Sequence, residues 1–194
     1  MTVTTALQPG ALRRARQLRG MKQSHLAELV GVRQGTVSKW ESGLALPSPA
    51  QARRLATLFA ARLDAQRDAW IRRLVEGSRR PVHLMCESTH RLLAASPMRV
   101  LEWRRDPAEV AAEPLLRAAP DDLRRAEALV TASRADAQES PPFVVRTAGR
   151  RGGQYEVAPA LLLWESLQLS GGEWVRLVSN IAEDEVPLGA IAVG

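Results

Sequence analysis

The sequence predicts an all-α N-terminal domain of four to five helices, followed by an α+β domain built on an antiparallel five-stranded sheet. Three observations carry the prediction. Apolar residues recur at helical spacing as far as Glu76, and after "GSRRP" at 77–81 the pattern changes to short runs bounded by turn residues. Charge divides at the same place: residues 1–80 hold 15 Lys and Arg against 5 Asp and Glu, whereas 81–194 hold 12 against 16. A cationic unit joined to an acidic one assigns a polyanion partner to the first alone, because clustered cations gain affinity by releasing counterions from phosphate. The expected division is 1–77, 78–185 and a tail at 186–194.

The first helix runs from Ala11 to Arg19, basic throughout, with "PG" at 9 and 10 marking its start. In "KQSHLAELVG", Leu26, Leu29 and Val30 fall at helical spacing, and Gly31 supplies a left-handed cap that ends the second helix. A third helix fits Gln34 to Glu41 after a connection of a few residues, as two steeply crossing helices require. At about 100° per residue, Val37 and Trp40 share one side of it. Gly35, Ser38, Lys39 and Ser42 lie opposite, with Gln34 and Thr36 at the flanks. A helix that needed only solubility would carry long Glu and Lys there; short hydroxyls, an amide and a glycine permit close approach to a nucleic-acid groove. Ala27, small and facing Val37, lets the second and third helices pack closely. "LPSPAQARRLATLF" gives a fourth helix entered through Pro49, and Asp64 to Glu76 a fifth. The fifth is expected in the core of a five-helix domain, or packed onto the outside of the helical domain or against a second subunit.

The stretch "MKQSHLAELVGVRQGTVSKWESG" closely resembles the helix-turn-helix of lambda-repressor-like (Xre/Cro) DNA-binding regulators, over about residues 10–60. That resemblance implies a prokaryotic or phage transcription regulator that binds double-stranded DNA as a homodimer on a two-fold operator. It places Gln23 against phosphate, makes Gln34, Gly35, Ser38 and Lys39 the base-facing positions, and leaves Arg33 and Thr36 to hold the backbone. Arg16 and Glu41 stand where the family makes a buried structural ion pair. Lys22 departs from the usual Thr cap, losing a side-chain acceptor and adding a phosphate-directed cation. Gly35 offers no side chain for direct readout, which shifts the burden to shape and close approach.

In the C-terminal half, "VHLMCESTHRLLAASP" reads as two short strands with a turn near Glu87 to Thr89. "MRVLEWRR" and "DDLRRAEALVTAS" read as helices. "PFVVRTAG", "QYEVAPALLLWESLQLS" and "EWVRLVSNIAE" read as three strands, the last two joined at Gly171-Gly172. This order resembles a PAS-like sensor or dimerisation domain, in topology alone, and implies a unit able to receive a small-molecule or protein effector. "AEDEVPLGAIAVG" reads as a loosely ordered tail, with "PLGAIAV" a candidate strand for a partner.

Enzymatic chemistry finds little support. Both lysines, Lys22 and Lys39, lie in the first unit, so the Ser-Lys dyad of self-cleaving repressors cannot form within 81–194. His83 and His90 make no metal-ligand pattern, and neither metal nor cofactor is expected. Cys86, the single cysteine, reads as a small buried hydrophobe rather than a redox sensor. "GRRGGQYEV" lacks the Lys-Ser/Thr ending of a phosphate loop and reads as a hairpin turn. Trp103, Trp164 and Trp174 read as core anchors with a pocket lining as the alternative. No run of about 18 apolar residues occurs, and "MTVTTALQPG" lacks the layout of a signal peptide, so a cytoplasmic location is expected. The expected function is therefore a non-enzymatic, sequence-specific transcriptional regulator, a repressor or autoregulator. An antitoxin-like regulator, with a C-terminal half that binds a protein partner, is the second reading.

Overall fold

A computed structural model of the chain describes residues 9–60, 68–133 and 141–193. Four helices come first: α1 (Pro9–Leu18), α2 (Gln23–Val30), α3 (Gln34–Glu41) and α4 (Pro49–Phe59). The glycine signal read in the sequence operates as a physical stop. Gly31 adopts φ 74°, its N–H bonds the Ala27 and Glu28 carbonyls, and Val32 N–H also reaches Ala27 O at 2.9 Å, closing the end of α2. A capping box opens α4: Gln51 N–H donates to Ser48 Oγ, and Ser48 N–H donates to Gln51 Oε1 at 2.8 Å. Leu12, Leu26, Ala27, Val30, Val37, Trp40, Leu55 and Phe59 form the core of these helices. Ala27 and Val37 both belong to it.

The next helix, α5 (Ala69–Glu76), does not join the core of the helical unit, as a five-helix domain would require. Its Ile71 and Val75 enter the core of a β-sheet, beside Val82, Leu84, Cys86 and Val175, rather than the helical core. The two side chains lie four apart and so share one face of the helix, and the sheet covers that face. Of the expected helix Asp64–Glu76, residues 64–67 lie outside the described residues.

The sheet contains β1 (Val82–Cys86), β2 (Leu92–Ala95), β3 (Phe143–Thr147), β4 (Ala160–Gln168), β5 (Trp174–Ile181) and β6 (Ile191–Val193) in the order β2-β1-β5-β4-β3-β6. Five strands pair antiparallel, as the sequence predicts. The sixth pairs parallel to β3, with Ile191 opposite Phe143, so the sheet has six mixed strands instead of five antiparallel ones. The end of the expected tail is therefore a strand of the chain's own sheet. "QYEV" does not extend β4: Arg150 and Val157 form an isolated antiparallel bridge, and Tyr155 and Val157 turn into the core.

Between β2 and β3 run α6 (Pro97–Trp103), α7 (Pro107–Ala111), a 3-10 turn at Leu115–Ala118 and α8 (Asp121–Ser133). They cover the face of the sheet that carries Met85, Trp164 and Val178, while α5 covers part of the other. The helical unit is tied to the sheet at one end. Arg19 donates to Leu58 O and pairs with Glu173 at 2.9 Å, and Arg14 lies over the Trp174 ring at 5.3 Å. Ser88 Oγ donates to Phe59 O at 2.8 Å. The Asp68 carboxylate accepts from Ser170 N–H and Oγ.

Candidate nucleic-acid interface

Two short helices, α2 and α3, present their N-termini to the same side, and neither is closed by a side chain. Lys22 and Arg33 occupy the two N-cap positions in extended backbone, and neither side chain accepts from the first turn. The lost cap expected at Lys22 is thus present twice. The first-turn N–H groups of a helix need acceptors, and a cation beside each start favours an anionic one, which is the arrangement phosphate takes.

Each helix begins with glutamine at its first position, and the two are joined. Arg16 of α1 donates from Nε to Glu41 Oε1 at 2.6 Å and from Nη2 to Glu41 Oε2 at 3.0 Å. Gln23 Nε2 donates to Glu41 Oε2 at 2.9 Å, and Gln34 Nε2 donates to Gln23 Oε1 at 2.6 Å. The ladder Arg16–Glu41–Gln23–Gln34 therefore starts at a buried ion pair, whose side chains are 11% and 3% exposed, and ends at the exposed surface. A bidentate guanidinium-carboxylate pair fixes orientation as well as position, so it aims both glutamines. The pair stands where the sequence expects it. Its extension through Gln23 is new: that amide is engaged on both its oxygen and its nitrogen, which makes Gln23 an orienting residue as well as a candidate contact. Identical residues at the start of α2 and α3 were the available signal.

The remaining expected positions share this face. Lys22, Arg33, Gln34, Gly35 and Lys39 are exposed, while Thr36 and Ser38 are half-buried. A Cβ built on Gly35 meets nothing within 4 Å, so no packing inside the chain demands glycine there. The sequence reading omitted Arg54, which donates from Nη1 to Val30 O at 3.1 Å and satisfies the end of α2. Exposed Arg53 beside it adds to the basic surface.

The candidate chemistry of the other half resolves differently. Cys86 is buried in the core beneath α5, as a small hydrophobe would be. His90 lies in the β1–β2 turn at φ 54°, with Nε2 3.0 Å from Glu127 Oε1. Arg176, fully buried, bonds the other oxygen of Glu127 and lies 3.6 Å from Glu87. Burial alone would raise the Glu127 carboxyl, but Arg176 and the His90 hydrogen bond outweigh it and hold it at about 2. Among the described residues no group of three or more His, Cys, Asp or Glu is placed to hold a metal, and no helix is long and apolar enough to cross a membrane.

Residues 12–65 match the HTH_3 family model, described as Helix-turn-helix. That span runs from within α1 past the end of α4 and contains the whole ladder, so this part of the chain is a helix-turn-helix unit, which supports DNA binding by it. No curated protein matches the chain.

Proposed function

We propose that the protein is a sequence-specific transcriptional regulator, a repressor or autoregulator, that binds a two-fold operator as a homodimer with α3 in the major groove. The observation that carries this reading is the hydrogen-bonded ladder from Arg16 through Glu41 and Gln23 to Gln34. It sets two uncapped helix N-termini and a small polar face in one rigid arrangement. Lys22, Arg33 and the open N–H groups would engage phosphate; Gln34, Ser38 and Lys39 would meet base edges; Gly35 would let the groove wall come close. A single small helical unit binds DNA weakly, and two-fold dimers with half-sites one helical turn apart are the usual remedy.

Two strands, intervening helices and three further antiparallel strands support the PAS-like reading of the C-terminal unit as dimeriser or signal receiver. Its contacts through Arg14, Arg19, Ser88 and Asp68 would carry a change in the sheet to the helical unit.

The test is binding of the full-length protein to DNA from around its own coding region, across a salt series. Wild type should protect a discrete two-fold site. Gln34→Ala with Ser38→Ala should retain salt-sensitive binding and lose discrimination between that site and random DNA. Unchanged discrimination would remove α3 as the reading helix. A stoichiometric protein that co-purifies and abolishes DNA binding would instead favour the antitoxin-like reading.

A further inference from the structure

The polar face of α3 runs directly into an apolar one. The helix closes with a left-handed glycine: Gly43, at φ 75°, donates its N–H to Trp40 O at 3.2 Å, and Leu44 N–H donates to Lys39 O at 2.9 Å. The second bond folds the chain back and sets Leu44 beside Lys39, the last of the positions expected to face DNA. In a cap of this kind the residue in the place of Leu44 commonly packs on the helix that it closes. Leu44 instead stands 80% exposed, and Leu46 is 72% exposed. Ala45 between them turns inward against the helical core, which leaves both leucines on the outer side. Neither is loosely held. Ala45 N–H also donates to Lys39 O, at 3.2 Å, and Pro47 disfavours helical backbone at Leu46. The pair is therefore pre-organised, and a partner orders it at little entropic cost.

The surroundings identify the partner. Lys39 adjoins the leucines as an exposed cation, and the Ser42 hydroxyl beside it is spent on its own helix, donating toward Ser38 O and Lys39 O at 2.9 and 3.2 Å. A partner here meets positive charge and carbon side by side. A protein surface is disfavoured by size, because two leucines supply only a fraction of the roughly 800 Å² per side that a stable interface buries. Duplex DNA meets both features: its phosphates match the cations, and its deoxyribose rings present C–H surface between them. We propose that Leu44 and Leu46 make an apolar contact with deoxyribose rings of the strand that walls the groove read by α3. The inference deepens the regulatory reading and rests on its placement of α3 against DNA. A contact to sugar adds affinity that salt does not screen and that carries no base information. It also disfavours RNA, whose 2′-hydroxyl sets a polar group against the leucines.

The experiment pairs hydroxyl-radical footprinting, which reads the accessibility of each deoxyribose, with binding titrations across a salt series. Both use full-length protein and DNA from around its own coding region. Leu44→Ser with Leu46→Ser should keep the wild-type Tm, since both side chains lie in solvent. It should expose sugars that wild type protects and weaken binding about tenfold at an unchanged salt slope. Leu44→Met with Leu46→Met should restore the protection. Arg33→Ala should lower the slope by about one and leave those sugars covered. Identical protection by wild type and the serine variant would overturn the contact, and so would a loss of affinity that comes with a changed slope. A serine variant that changes oligomeric state in sedimentation without DNA would assign the leucines to a second copy and overturn it too. The two readings fail separately. Wild type that prefers no site, yet binds random DNA about tenfold tighter than the serine variant at equal slope, would sink the regulator and spare the contact. A discrete operator bound and protected alike by both proteins would do the reverse, and wild type that binds no DNA would sink both.

Discussion

Two glycines four residues apart make opposite contributions. At Gly31 the backbone is left-handed, φ 74°, and an added Cβ would also meet Arg54 Nη1 at 3.3 Å. Gly31→Ala should therefore destabilise the protein by roughly 1–2 kcal/mol, the usual penalty of a side chain in that region. Gly35 sits in the right-handed turn of α3 with open space where a Cβ would go. Glycine inside a helix costs roughly 0.5–1 kcal/mol relative to alanine, so Gly35→Ala should stabilise by about that amount. If the glycine serves DNA approach, the same variant should bind its operator more weakly. Urea unfolding and operator titration on the two variants check both signs. A Gly35→Ala protein that is more stable and binds as well as wild type would remove close approach as the reason for the residue.

At the scale of elements, what could be read in the sequence follows the range of the interactions that build each one. The helices α2, α3 and α4 were legible because glycine stops, a proline entry and four-residue apolar spacing all act within one or two turns. Ser48→Ala tests one such local signal, and loss of the capping box should cost about 1 kcal/mol, read as a lower urea midpoint at unchanged slope. The Arg16–Glu41 pair was also legible, through a recurring pattern, although its continuation through Gln23 to Gln34 depends on how α1, α2 and α3 cross. The apolar face of α5 was plain while its partner was not, since Ile71 and Val75 would suit either core. The strand β6 was missed as part of the sheet for the same reason carried further. Three residues form it, and its partner β3 lies nearly fifty positions earlier. Arg176 is the sharpest case: "EWVRLVSNI" reads as a strand, yet nothing local tells that its arginine is buried between carboxylates from Glu87 and α8.

At the scale of the whole molecule, that buried charge makes a prediction about acid. Glu127 is surrounded by Arg176 and His90, with the Thr131 hydroxyl on its own helix, and Glu87 shares Arg176 beyond it. Its folded carboxyl lies at about 2 against an ordinary 4.5. A depressed carboxyl contributes stability that is fully present above the unfolded value and is lost as pH falls toward the folded one. Stability should accordingly hold down to about pH 4.5 and decline between there and about pH 2, by roughly 3 kcal/mol from this group. Glu127→Gln should flatten that decline and, by leaving buried Arg176 without its nearer carboxylate, lower stability at pH 7 by about 3–5 kcal/mol. Urea titrations at pH 7, 4.5 and 3 on both proteins decide it, and curves that fall in parallel would assign the acid loss to other groups. Because Arg176 also pairs with Glu87 near Arg14, and Arg14 covers Trp174, the same protonation should loosen the junction of the two units. Trp174→Phe identifies the emission change that reports it, and in wild type that change should precede global unfolding as pH falls.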